Sequence, residues 1–156
     1  KLATTYKKEK HEAYNNWGNA LCQLAETKSG NEAEKLYKEA FEKYNKATTY
    51  KKDYHKAYNN WGIALSNLAK TKSGSEAEIL YNEAAEKIKL AIKHGGDAYY
   101  LACLCAIRNQ KAEALKYLER TLARNEITVE FVEQDEDWKN LRNDPDFQDL
   151  LSRYKK

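Results

Sequence analysis

The amino-acid sequence predicts an all-α protein in which antiparallel helix pairs stack side by side. The hexapeptide AYNNWG stands at residues 13–18 and again at residues 57–62. Apolar residues recur at spacings of three and four, which is the period of an α-helix. No segment shows the sustained alternation or the Asn-Gly turn that is typical of β-hairpins. These three observations together favour helices throughout the chain.

The hexapeptide belongs to a longer internal repeat. When residues 2–45 are aligned with residues 46–89, 30 of the 44 positions are identical. Self-similarity at a period of this length is the signature of a repeat architecture. We therefore expect two helix pairs of the same structure, which we call unit one and unit two.

The first helix of each unit carries a Trp-Gly pair on its apolar stripe. In unit one this stripe comprises Tyr14, Trp17, Gly18, Leu21, Leu24 and Ala25. A glycine inside a helix costs about 1 kcal/mol relative to alanine, so its presence indicates the close approach of a second helix. We expect Trp17 and Trp61 to be buried at that contact, because burying a large apolar side chain stabilises a fold by roughly 1.5–3 kcal/mol.

A TKSG segment separates the two helices of each unit. Gly30 is expected to supply the left-handed turn that ends the first helix. Asn31 and Glu34 then have the spacing of a capping box at the start of the second helix, as do Ser75 and Glu78 in unit two. The apolar stripe of the second helix in unit one comprises Leu36, Tyr37, Ala40, Tyr44 and Ala47.

These stripes resemble the pattern of the tetratricopeptide repeats, a family of helix pairs stacked into a right-handed superhelix. The matching residues are Tyr14, Trp17, Gly18, Leu21, Ala40, Tyr44 and Ala47 in unit one, and Tyr58, Trp61, Gly62, Leu65, Ala84, Ile88 and Ala91 in unit two. The period departs from the usual length of about 34 residues, and HEAT-like repeats of about 40–47 residues are the alternative. The usual closing proline is replaced by Lys52 and Gly96.

The predicted organisation has five segments. They are residues 1–10 as the end of a truncated upstream repeat and its turn, 11–52 as unit one, 53–96 as unit two, 97–125 as a third unit of the 34-residue type, and 126–156 as a C-terminal helical cap. In the cap, Asp135 is placed to cap a short helix that bears Trp138. Asp144 followed by Pro145 is a cap and first-turn pair of a second helix. We expect this segment to cover the apolar face of the last repeat.

Composition excludes several classes of function. The 27 basic and 24 acidic residues are interspersed and give a net charge of +3, so nucleic-acid binding is not expected. No apolar run approaches the length of about 20 residues that a membrane helix needs. Cys22, Cys103 and Cys105 lack metal-site spacing and predict free thiols in a reducing compartment, which indicates a cytoplasmic protein.

No motif for catalysis stands in the sequence. Walker, GxSxG, HExxH and dinucleotide-binding patterns are all missing. His11 and His55 are repeat equivalents, so we expect them to lie one repeat apart. The interpretation is a protein that is not an enzyme, with neither cofactor nor metal.

The tetratricopeptide resemblance implies a scaffold that binds a protein or peptide partner in a concave groove lined by the first helices. The implied groove residues are Glu12, Asn15, Asn19 and Gln23 in unit one, Lys56, Asn59, Ile63 and Asn67 in unit two, and Tyr99 and Cys103 in unit three. Asparagine amides both donate and accept hydrogen bonds, which suits a peptide backbone. The alternative is a structural spacer or self-assembling repeat array, which the near-identity of the two units favours.

The first residues predict a neighbour on the N-terminal side. Residues 2–8 align with residues 46–52, which close a second helix. We therefore expect a further copy of the repeat before Lys1. We also expect an exposed apolar face around Tyr14, Leu21 and Tyr37, and self-association through this uncapped end, because exposed apolar patches drive association.

Overall fold

The computed structural model describes residues 2–156, with side chains described from Lys10 onward, and helices joined by short turns make up this part of the chain. The all-α prediction is therefore confirmed for this part of the chain. The helices are α1 Leu2–Glu26, α2 Gly30–Tyr50, α3 His55–Ala69, α4 Gly74–Lys93, α5 Tyr99–Ile107, α6 Lys111–Ala123, α7 Val129–Gln134, a 3₁₀ helix Glu136–Leu141, and α8 Pro145–Tyr154.

The chain divides into two compact units, Lys1–Gly96 and Asp97–Lys156. In the N-terminal unit, α1 packs against α2 and α3 packs against α4, so that two helix hairpins form. Helix α2 of the first hairpin also packs against α3 of the second, and α1 contacts α3. In the C-terminal unit, α5 packs against α6, the 3₁₀ helix lies on α5, and α8 lies on α6.

Each hairpin of the N-terminal unit closes on its helix glycine. A Cβ atom added at Gly18 would lie 2.6 Å from the ring of Tyr44, and one added at Gly62 would lie 2.5 Å from the side chain of Ile88. Tyr44 and Ile88 are almost fully buried at 1% and 2% exposure. The predicted close approach of two helices at these glycines is confirmed.

The prediction that Trp17 is buried is wrong. Trp17 is 51% exposed, whereas its repeat equivalent Trp61 is partly buried against the core. Helix geometry turns both tryptophans about 100° away from the glycine contact, toward the side of the hairpin. On that side Trp61 packs with residues of α2, whereas Trp17 is exposed. The prediction of an exposed apolar face around Tyr14, Leu21 and Tyr37 is also wrong. Tyr37 is buried, and Tyr14 and Leu21 are half-buried.

The TKSG segments place their glycines at the start of the second helix. Gly30 and Gly74 have φ values of +57° and +59°, which is the left-handed region that favours glycine. Each glycine follows its N-cap, Ser29 or Ser73, whose side chain makes no capping hydrogen bond. The left-handed conformation of Gly30 was therefore predicted correctly. This glycine begins the second helix, whereas the prediction placed it at the end of the first helix.

The predicted capping boxes are not formed. Asn31 and Ser75 lie inside α2 and α4, one residue beyond the first helical residue. The carboxylate of Glu34 instead accepts a hydrogen bond from Lys72 Nζ at 3.1 Å. In a capping box Glu34 would accept from a backbone N–H at the start of its own helix. Here it accepts from the ammonium group of Lys72, which lies in the TKSG segment of unit two.

Helix α1 is continuous from Leu2, so the turn predicted within residues 1–10 is not formed. The identical ATTYKK segment at residues 47–52 ends α2 at Tyr50. The residues that follow each copy differ, since Glu-Lys comes after the first and Asp-Tyr after the second. Glutamate and lysine are better helix formers than aspartate and tyrosine, which explains why only the second copy breaks. Lys1 lies outside the described residues.

The two predicted caps near the C-terminus are confirmed. Asp135 Oδ1 accepts from the backbone N–H of Asp137 at 3.0 Å, ahead of the 3₁₀ helix. Asp144 Oδ1 accepts from Asp146 N at 2.9 Å, and Pro145 opens α8. Trp138, Phe147, Leu150 and Leu151 are all buried within this segment.

The two tryptophans of the repeats give a matched stability test. Replacing Trp61 by alanine should lower the free energy of unfolding by about 3 kcal/mol, since it leaves a cavity against the core. Replacing Trp17 by alanine should cost about 1 kcal/mol or less, because half of that side chain is in solvent. Urea denaturation of both variants measures the difference, and equal costs would contradict the two environments described.

Candidate functional site

Helices α1 and α3, the first helices of the two repeats, are neighbours in the N-terminal unit. Asn60 Nδ2 donates to Asn15 Oδ1 across a distance of 3.1 Å. The rings of His11 and Tyr54 meet edge to face with centroids 4.5 Å apart. These contacts hold α1 beside the start of α3.

The eight predicted groove residues of this unit divide by exposure. Glu12, Gln23 and Lys56 are exposed, Asn19, Ile63 and Asn67 are half-buried, and Asn15 and Asn59 are buried. The first six reach the surface, where a partner could contact them. The last two lie in the interior, so their amides serve the fold.

Asn19 connects α1 to α2 as well as reaching the surface. The hydroxyl of Tyr44 donates to Asn19 Oδ1 at 2.7 Å, and it lies 3.5 Å from Cys22 Sγ. Burial raises the pKa of the Tyr44 hydroxyl far above its usual range, so this group remains a proton donor at neutral pH. Burial likewise raises the pKa of the Cys22 thiol, which makes it a poor nucleophile.

The buried asparagines Asn15 and Asn59 occupy the same repeat position, but their side-chain oxygens differ in hydrogen bonding. Asn15 accepts the hydrogen bond from Asn60. The side-chain oxygen of Asn59 is buried and has no hydrogen-bond donor in the described part of the chain. An unpaired buried oxygen of this kind costs about 1–3 kcal/mol.

A cavity of about 650 Å³ opens between the turns of the two repeats. Asn67 is the predicted site residue that lines it, together with Tyr37 and the ion pair of Glu34 with Lys72. The hydrogen bond from Lys72 lowers the pKa of the Glu34 carboxyl, so this side chain is charged at neutral pH. The cavity therefore presents charges of both signs and an aromatic ring.

Tyr99 and Cys103 do not lie on an open surface, which corrects their assignment to the groove. They are 4% and 3% exposed. The hydroxyl of Tyr99 donates to Asp135 Oδ2 at 2.6 Å and accepts from Trp138 Nε1 at 3.1 Å. The protein's own 3₁₀ helix covers the face of α5 on which a partner was expected.

Cys103, Asp135 and Asp137 bring three atoms that could ligate a metal within 4.8 Å of one another. The carboxylate of Asp135 is already engaged, since one oxygen accepts from Asp137 N and the other from Tyr99 Oη. Burial and the neighbouring Asp135 charge raise the pKa of the Cys103 thiol. The two oxygens of Asp135 join the start of the 3₁₀ helix to α5, so this arrangement acts as a capping network of the fold.

The sequence analysis named Asp135, Trp138 and Tyr99, but it did not predict that these three side chains are hydrogen-bonded to one another. Asp135 was identified as a cap and Trp138 as an apolar helix residue. Tyr99 was assigned to the groove from the position of α5 in its repeat. No local signal shows which helix face a terminal segment will cover, because that depends on how the segment folds back.

Neither a protein-family model nor any curated protein or solved structure matches this chain. The tetratricopeptide resemblance is therefore carried by the residues of the chain alone. Among the described residues, no helix combines the length and the apolar character needed to cross a bilayer.

The asparagine pair gives a second matched test. Asn15→Ala removes the acceptor of Asn60 and should lower the free energy of unfolding by about 1 kcal/mol more than Asn59→Ala does. Asn59 Oδ1 has no donor among the described residues, so the removal of this side chain mainly relieves an unpaired oxygen. Chemical denaturation of the two variants measures this difference, and a larger cost at Asn59 would contradict the described hydrogen bonding.

Adjacent tyrosines test the network of the C-terminal unit. Tyr99→Phe leaves Asp135 and Trp138 without the shared hydroxyl and should cost about 1–3 kcal/mol. Tyr100→Phe is the control, because Tyr100 is 38% exposed and its change should stay within about 0.5 kcal/mol. Thermal denaturation followed by near-ultraviolet circular dichroism reports both variants. A neutral Tyr99→Phe variant would show that the network does not hold the 3₁₀ helix.

Proposed function

We propose that this chain is a non-catalytic scaffold that binds a peptide or a partner helix on the surface formed by α1 and α3. The proposal rests on one observation. Two neighbouring helices carry six residues that reach the surface at repeated positions, namely Glu12, Asn19, Gln23, Lys56, Ile63 and Asn67. We further propose that the helix pairs form a right-handed superhelix of the tetratricopeptide type, as the repeat pattern implies.

The chemistry of this surface suits main-chain recognition. Gln23 and Asn67 offer amide groups that donate and accept, which matches the N–H and C=O groups of an extended peptide. Ile63 adds an apolar contact, and Glu12 and Lys56 add one charge of each sign. The surface has no strong excess of either charge, which favours a partner recognised by its backbone over one recognised by its charge.

A selected peptide tests the proposal. Peptides that bind the intact chain are first isolated from a random displayed library. They should bind at least about tenfold more weakly to a triple variant with Gln23→Ala, Lys56→Ala and Asn67→Ala. This loss of affinity is equivalent to about 1.4 kcal/mol. The melting temperature should change little, because these side chains are exposed or half-buried. Isothermal titration calorimetry measures the affinity.

The matched control lies on α4. Glu83, Glu86 and Lys89 are exposed on that helix, and their triple alanine variant should bind the selected peptide as the unmodified chain does. Binding that survives the α1 and α3 changes, or that is lost equally in the control, would place recognition elsewhere and contradict the proposal.

A structural spacer or self-assembling repeat array is the second candidate. The identity of 30 positions between two copies favours it, since near-identical repeats suit a role that depends on length. Sedimentation across a concentration series separates the candidates, because an array grows with concentration and a binding scaffold does not. We also propose a cytoplasmic location, which the free cysteines favour.

A further inference from the structure

One side of α1 is open where the same side of α3 is covered. We call this side the open stripe, defined by Ala13, Asn16, Trp17, Ala20 and Leu24, all of them exposed. Their repeat equivalents are identical residues that are buried or half-buried, namely Ala57, Asn60, Trp61, Ala64 and Leu68. Leu24 is 47% exposed and Leu68 is 2% exposed, so identical residues have opposite environments.

Helix α2 accounts for this difference. Trp61, Ala64 and Leu68 pack in one cluster with Ala33 and Ala40 of α2. The same cluster contains the larger side chains Tyr37 and Phe41 of α2. Burial of a leucine and a tryptophan against this helix is a stabilising contact, because apolar area leaves water on both sides. The packing of α2 on α3 therefore shows how a second helix covers a stripe with the same residues as the open stripe of α1.

Polar contacts accompany the apolar ones in that example. Lys72 pairs with Glu34 of α2 at 3.1 Å. Lys28 is the repeat equivalent of Lys72, and the structure shows no ion pair for it within its described part. Asn16, the equivalent of Asn60, is exposed. Asn60 itself donates to Asn15 of α1. The contact with α2 that Lys28 could reproduce is therefore the ion pair, and the apolar residues of the open stripe supply the rest.

We propose that the open stripe is a docking surface for the second helix of another repeat of this 44-residue type. That helix would lie on α1 as α2 lies on α3. It would present small residues at the positions of Ala33 and Ala40, and a glutamate at the position of Glu34 to pair with Lys28. This inference goes beyond the binding surface proposed above, which uses other residues of α1.

A second copy of the chain does not offer the same partner. Its own α2 is already packed against its α3, so the complementary side is occupied.

The experiment adds one repeat and probes the stripe with a charge. A copy of residues 2–45 is joined directly ahead of Leu2, which keeps the 44-residue period. Ala20→Glu is then made in the original and in the extended chain. It should change the melting temperature of the original chain by about 1 °C or less, because Ala20 is exposed there, and lower that of the extended chain by about 5–10 °C, because a buried unpaired carboxylate is costly.

Two control variants calibrate the measurement. Ala64→Glu, at the covered equivalent of Ala20, should be strongly destabilising in both chains. Ala112→Glu, at an exposed position of α6, should be neutral in both. If the glutamate variant of the extended chain fails to fold, Ala20→Gln is the milder replacement, with the same expected order of effects.

Three results would overturn the proposal. The first is an equally small effect of Ala20→Glu in both chains, which would show that the added helix does not cover the stripe. The second is an added repeat that stays unfolded by circular dichroism. The third is a dimer of the original chain in sedimentation that Ala20→Glu abolishes, which would make a second copy the occupant.

Discussion

The contact between a helix glycine and a large buried side chain sets the geometry of both helix hairpins in the N-terminal unit. Gly18 admits the ring of Tyr44, and Gly62 admits Ile88, in spaces that a Cβ atom would fill. Because the glycine must face the partner helix, the direction of every other residue on α1 and α3 follows from it. Trp17 then points sideways, and the Tyr44 hydroxyl reaches Asn19.

This constraint explains why identical residues behave differently in the two repeats. On α3, the side that carries the tryptophan faces the preceding hairpin. For Trp61 that hairpin is present and α2 covers the ring, whereas Trp17 is open to solvent on this side. In both repeats a lysine ammonium lies 3.9 Å from the centre of the indole ring, Lys43 on Trp17 and Lys87 on Trp61. The contact inside each hairpin is thus the same, and the contact between hairpins differs.

In the C-terminal unit, the 3₁₀ helix of the same chain covers one face of α5. The 3₁₀ helix brings Trp138, which is fully buried, and Asp135 onto α5. Asp135 caps that helix with one oxygen and accepts from Tyr99 with the other, so a single carboxylate joins a local cap to a tertiary contact. The covered face removes Tyr99 and Cys103 from any binding surface and restricts the proposed recognition site to the N-terminal unit.

The sequence by itself determined the central parts of α1 to α4, the repeat, the glycine contacts and the C-terminal caps, because each depends on residues a few positions apart or on an internal copy. The stripe periodicity identified α1 to α4, and Asp135 and Asp144 identified their helix starts. Tertiary structure alone decided that Trp17 is exposed, that Asn15 and Asn59 are interior, and that Glu34 pairs with Lys72 in place of a cap. These outcomes depend on which neighbour stands beside each helix, and neighbours are set by packing between distant segments. A periodic pattern shows which residues share a face, and it does not show what covers that face.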